Sequence, residues 1–128
     1  MELKKLVNVA IVGGGLGCKT IMDVIFDEKI SQLRMNLIGV SDINPEAVGY
    51  RYAQEKGIFT TKDYRDLYKL KELNMILELT GLEEVTREIS RNKPEHIHLI
   101  DHLAAHLFWD IFQVEERRIA ELSRAEEA

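Results

Sequence analysis

A single cysteine, Cys18, occurs in the chain, so no internal disulfide can form and stability must come from packing. Prolines number only two, at positions 45 and 94, which leaves long stretches free of helix breakers. No apolar run reaches the roughly 20 residues that a membrane-crossing helix requires, so no membrane partner is expected. Lys and Arg number 17 against 22 Asp and Glu, for a net charge of −5, and they form no cluster. That balance argues against a nucleic-acid surface. Met1 to Lys5 lack the apolar stretch and cleavage site of a signal peptide, and a cytoplasmic protein is the expectation. What is present is ordinary for a globular protein: 128 residues, 45% hydrophobic and 30% charged. Such a chain reads as one domain over 1–128 with a real core.

Short apolar runs alternate with helical patterns from end to end, the signature of a parallel sheet covered on both faces. Strands are expected at Val7–Val12, Asn36–Val40, Ile58–Thr60, Met75–Leu79 and His96–Ile100. Helices are expected from Gly17 to Asp27, from Asn44 (cap) and Pro45 to Gly57, briefly after Asp63, and from Glu83 to Asn92. The fold class is therefore α/β, a Rossmann-like parallel sheet of about five strands, with the order 3-2-1-4-5 by analogy with that fold. The final helix, over 103–128, has neither Gly nor Pro from Leu103 through Leu122. Leu107, Phe108, Ile111, Phe112, Val114, Ile119 and Leu122 form a stripe along it. It is longer than one sheet edge needs, so pairing with a second copy or relay into a further module is expected, ahead of simple packing on its own sheet.

The segment Val9-Ala10-Ile11-Val12-Gly13-Gly14-Gly15-Leu16-Gly17-Cys18-Lys19-Thr20 is a buried strand, a glycine turn and a helix start. Such a turn lets a diphosphate lie against bare backbone N–H groups at the positive end of a helix. On the pattern G-x-G-x-x-G, Gly13 and Gly15 match, and Cys18 stands where the third glycine serves close packing. The second strand ends in Ser41-Asp42-Ile43, where a carboxylate can hold the diol of an adenosine ribose and repel a 2′-phosphate. These residues point to a dinucleotide, NAD(H) in preference to NADP(H). Gly13, Gly15, Leu16, Gly17, Cys18, Asp42 and Ile43 form the expected cofactor site, with Thr80 and Gly81 facing it across the crevice.

Each of these residues has a plainer rival. Asp42 with Asn44 and Pro45 could make only an Asx-turn, and Thr80-Gly81 only a strand-to-helix turn. Gly13 to Thr20 also stands one substitution from G-x-x-x-x-G-K-[ST], in which Lys19 would reach phosphates, Thr20 a magnesium ion, and Asp101 would imitate the second acid. The missing glycine before Lys19 weighs against it. Cys18, near a helix start, reads as a packing residue rather than a reactive thiol. His96, His98, His102 and His106 meet no familiar metal spacing and read as solvated or capping residues, so no metal and no catalytic residue is assigned. His102 nevertheless falls near the crevice, where a proton-sensitive role is open to it.

The glycine turn, Ser41 to Glu46, Ala53 to Ile58 with Thr61 to Tyr64, and Leu79-Thr80-Gly81 together resemble the N-terminal NAD(P)-binding domain of glucose–fructose oxidoreductase-like dehydrogenases. That family carries a Glu-Lys-Pro motif after its fifth strand, whose lysine is catalytic, and a second domain that holds substrate. This chain has Ile100 to Ala105 in the motif's place and nothing to replace the second domain, so the resemblance implies binding without hydride transfer. A wider resemblance, through Gly13 to Thr20, Glu78 to Gly81 and Leu99 to Ala105 with Phe108-Trp109, is to the Rossmann-type domain ahead of some bacterial sensor kinases. It implies a non-catalytic input module whose last helix leads toward signalling partners. An NAD-dependent oxidoreductase domain lacking its substrate domain is the alternative.

Overall fold

The computed structural model describes residues 6–26 and 34–127. Five strands, β1 (Val7–Val12), β2 (Met35–Ser41), β3 (Phe59–Thr61), β4 (Met75–Glu78) and β5 (His98–Ile100), form one parallel sheet in the order β3-β2-β1-β4-β5. Between them run α1 (Leu16–Ile25), α2 (Val48–Glu55), a 3₁₀ helix (Tyr64–Lys69) and α3 (Glu83–Asn92), and α4 (His102–Glu127) follows β5. This is the Rossmann-like order read from the sequence.

Strand alternation divides the core in two. Val9 and Ile11 of β1, with Leu37 and Leu77, meet Cys18 and Met22 of α1 and Ala53 of α2. Ala10 and Val12, pointing the other way, join Ile76 to Leu67, Leu73, Ile89 and Ile97 beneath the 3₁₀ helix and α3. A central strand buried on both faces must be apolar at every inward position, and Val9 to Val12 are. Burying each Val or Ile side chain of that strand contributes about 1.5–3 kcal/mol.

Several boundaries differ from the sequence reading. Asn44 does not cap α2: its Oδ1 accepts from Glu46 N at 3.0 Å and its carbonyl from Ala47 N at 3.1 Å. Those bonds hold a separate turn around Pro45, and α2 begins later, at Val48. Strand β5 starts at His98 because Pro94 accepts from Ile97 N, closing a turn there. His96 therefore precedes the strand and shares no strand face with His98. The expected helix end at Asp27 and the reading of Met1 to Lys5 lie outside the described residues. Asp63 caps the short helix as expected, but with 3₁₀ geometry, its Oδ1 accepting from Arg65 N at 3.0 Å.

Among the described residues, only the beginning of α4 meets the body. Ala105, Phe108, Trp109 and Phe112 line an apolar groove of about 490 Å³ against Val9, Ile21, Met75, Leu77 and Ile100. From Val114 to Glu126 every residue is exposed, and so are Leu103, Leu107 and Ile111 of the apolar stripe. No described helix is long and apolar enough to cross a membrane.

Candidate functional site

The site grows from the end of β1. Gly13 has φ 111°, and a Cβ there would lie 2.9 Å from Leu79 C and Thr80 N, so only glycine fits where the β1 turn crosses that of β4. Gly15 is the N-cap of α1, and no side chain caps that helix. Its first N–H groups therefore have no intrahelical partner and carry the positive end of the helix dipole. A Cβ built on Gly15 or Gly17 would meet open space.

Helix α2 supports the turn from behind. Gly14 O accepts from Tyr50 N at 3.0 Å, and a Cβ on Gly49 would lie 2.7 Å from that same carbonyl. Sequence reading missed Gly49; the signal was a glycine inside an otherwise regular helix, which marks close backbone approach. The Cys18 side chain is buried against Met22, its Sγ 3.9 Å from Sδ. Burial first, and the Asp42 carboxylate second, push its thiol up to about 12, so it packs the core and only its backbone faces the turn.

Asp42, half-buried after β2, accepts from Gly14 N through Oδ2 at 2.7 Å and from Asn44 N through Oδ1 at 2.8 Å. The Asx-turn foreseen as its rival role is thus present. The same carboxylate is drawn against the glycine turn, and each oxygen keeps a lone pair for a further donor. Ile43 beside it is 87% exposed.

The other end of the crevice is organised by a residue that the sequence reading left unassigned. Glu78, the last residue of β4, is fully buried. Its Oε2 accepts from Thr80 Oγ1 at 2.6 Å and Gly81 N at 3.0 Å. Its Oε1 accepts from Thr86 Oγ1 at 2.6 Å and His102 N at 3.2 Å, and lies 2.5 Å from His102 Nδ1. Burial alone would raise its pKa, but the bonds from Thr80, Thr86 and His102 outweigh it and hold the carboxyl down to about 2. The bond to Glu78 raises the His102 pKa against desolvation, and Glu83, 3.1 Å from Nε2, adds to the rise. Glu78 thus joins β4, the first turns of α3 and the start of α4 at one anion. The Thr80 hydroxyl, expected to meet a ligand, is engaged here by Glu78 and by Leu82 N at 3.1 Å.

Between these ends opens a cleft of about 360 Å³, walled by Leu16, Gly17, Ile21, Leu79, His102 and Trp109 among others. Gly81 also lines it. Lys19 does not: its Nζ is 2.8 Å from Asp23 and lies over the Tyr52 ring. Thr20 Oγ1 donates to Leu16 O, and Asp101 caps α4 through Ala104 N. The three residues required by the phosphate-loop alternative are thus engaged elsewhere. His106 pairs with Asp110 at 3.3 Å, while His96 and His98 are exposed.

No protein-family model and no curated protein matches this sequence. Solved structures do. GenD2 from gentamicin A biosynthesis, in complex with NAD, gives a TM-score of 0.57 at 17% identity, covering 77% of this chain and 28% of its own. The WlbA dehydrogenase of Chromobacterium violaceum, in complex with NADH and UDP-GlcNAcA, gives 0.58 at 21%, over 76% of this chain and 27% of its own. RSP, a Rex-family repressor solved with beta-NAD+ and operator DNA, gives 0.50 at 17%, over 99% of this chain and 65% of its own. The chain spans less than a third of the first two proteins. At these identities the likeness establishes the fold, the same Rossmann-like α/β sheet that the strand order describes.

Proposed function

We propose that this chain is a non-catalytic NAD(H)-binding domain that serves as a regulatory or sensor input module. The observation that carries the reading is the bond from Gly14 N to Asp42, which sets a carboxylate with free lone pairs beside a glycine turn at an uncapped helix start. The diphosphate would lie on the first-turn N–H groups of Leu16, Gly17 and Cys18, in the space that a Cβ on Gly15 would enter. The free lone pairs of Asp42 would take the ribose diol, and its charge would disfavour NADP(H). Ile43 offers an exposed apolar edge to the adenine, and Gly81 lines the cleft where the second nucleoside would enter. GenD2, WlbA and RSP, which share the fold, were each solved with NAD or NADH. Calorimetric titration with NAD+, NADH and NADP+ tests the reading. Micromolar to sub-millimolar binding, lost at least tenfold in Asp42→Ala, is expected; no binding of any dinucleotide at millimolar concentration refutes it.

The regulatory half rests on α4. Leu103, Leu107, Ile111 and Val114 fall at helical spacing and are all exposed, a face that a second copy would cover in a homodimer. The resemblance to domains ahead of sensor kinases favours a signalling module as its downstream partner. Light scattering on the chain and on Leu107→Glu/Ile111→Glu checks the dimer, which the double variant should dissociate.

A second reading, an NAD-dependent oxidoreductase domain without its substrate domain, is favoured by one observation. His102, oriented by a buried carboxylate, lines the cleft in the manner of an acid–base group. NADH oxidation across a panel of carbonyl compounds separates the two; binding without turnover supports the first.

A further inference from the structure

The cleft beyond the glycine turn has an unusual charge. His102 is clasped between two carboxylates, Glu78 on Nδ1 and Glu83 on Nε2. Two carboxylates against one imidazolium leave one negative charge, and loss of the histidine proton leaves two. Elsewhere around the cleft the opposing contribution is the positive dipole end of α1, which faces both ring forms alike. Helix α1 contributes Leu16, Gly17, Thr20 and Ile21, and the end of β4 contributes Leu79. On α4 itself His106 lies 3.3 Å from Asp110, and Asp101 caps the helix. Among the described residues, neither Lys nor Arg lines the space. Gly81, Ala105 and Trp109 complete the wall, and Trp109, the sole tryptophan of the chain, supplies an aromatic ring of the kind that attracts cations.

We propose that the Glu78–His102–Glu83 cluster, with Trp109, is the specificity-determining element of this cleft and makes it prefer the oxidised, cationic pyridinium ring to the neutral dihydropyridine ring. The inference rests on the dinucleotide reading above and specifies which redox form that site takes. NAD+ and NADH share the adenosine and the diphosphate, so their contacts with Asp42 and the glycine turn cancel in the ratio of affinities. What remains is one positive charge on the ring, placed in a cleft whose nearby groups sum to a negative charge. Apolar walls keep the local dielectric below that of water, so the preference is not screened away. Because His102 is part of the cluster, the preference grows as that residue loses its proton.

The test is calorimetric titration of the full chain with NAD+ and with NADH at pH 6 and pH 9, reading the ratio of the two dissociation constants. NAD+ should bind about fivefold tighter at pH 6, and the ratio should widen by about another fivefold at pH 9, the order expected for one unit charge near a ring in a half-open cleft. His102→Gln removes the imidazolium, so its ratio at pH 6 should already equal the wild-type ratio at pH 9 and stay flat. Glu83→Gln, a change at an exposed side chain, should narrow the ratio at both pH values. Melting curves confirm folding, and if His102→Gln fails to fold, Glu83→Gln decides. Equal affinities, tighter NADH binding, or a ratio indifferent to these variants would overturn the inference while leaving the dinucleotide reading intact. Failure of both nucleotides to bind would overturn that reading, and this inference with it.

Discussion

Asp42, just after β2, and Glu78, the last residue of β4, are both carboxylates at the ends of inner strands of one sheet, yet they do different work. Asp42 is half-buried and meets only backbone N–H groups, those of Gly14 and Asn44. Glu78 is fully buried and meets two hydroxyls, two backbone N–H groups and an imidazole. A half-buried acid with spare lone pairs can still accept from a further donor. A buried one with every lone pair engaged instead holds neighbouring segments together and sets the local charge. Burial, not residue type, separates the two roles.

The largest expected effect comes from removing the buried acid. Glu78→Ala leaves Thr80, Thr86 and His102 without their acceptor and should cost about 3–5 kcal/mol in urea unfolding. Asp42→Ala, by contrast, should cost about 1 kcal/mol of stability while weakening dinucleotide binding at least tenfold. If the two losses of stability were equal, the contrast drawn here would fail.

Acid sharpens it further. Glu78 titrates lower in the folded chain, about 2, than its ordinary 4.5. Its contribution is therefore full above pH 4.5 and is lost as pH falls toward 2, by about 3 kcal/mol in total. His102 shifts the other way, so its share of the same contact is full below pH 6.5 and fades as pH rises past its elevated folded value. Unfolding followed from pH 2 to 9 should fall at both ends in the wild type, with the alkaline fall absent in His102→Gln.

Gly49→Ala forces a Cβ to 2.7 Å from Gly14 O and 2.8 Å from Gly15 O, against backbone that cannot yield. A loss of about 2 kcal/mol is expected, together with weaker nucleotide binding, because the turn itself must shift. Lys19→Ala should do least. Its ion pair with Asp23 is exposed, so stability should change by less than about 0.5 kcal/mol and nucleotide affinity hardly at all. A large loss of affinity there would revive the phosphate-loop reading.

Much of this architecture was legible in the chain. Alternating apolar runs and glycine positions were enough for the parallel α/β class, the strand order came by analogy with the Rossmann fold, and β1 and α3 have the expected bounds because their signals are local. Where the reading failed, side chains competed with the backbone. Asn44 and Asp42 satisfy nearby N–H groups and delay α2, and the Pro94 turn shortens β5. Asp42 could be named as a site residue because its significance follows from its place after a strand. Glu78 could not, since its partners Thr86 and His102 stand 8 and 24 residues away and only the fold brings them together.

Helix α4 begins at the cleft, with its first backbone N–H bonded to Glu78, and continues for 26 residues. At 1.5 Å per residue that is a rod of about 39 Å. A tilt of about 10° at its root would sweep the far tip through about 7 Å, on the same geometry. Were a ligand to settle beside His102, it would act on the short arm of this lever, and a displacement too small to disturb the sheet would be magnified at the far tip.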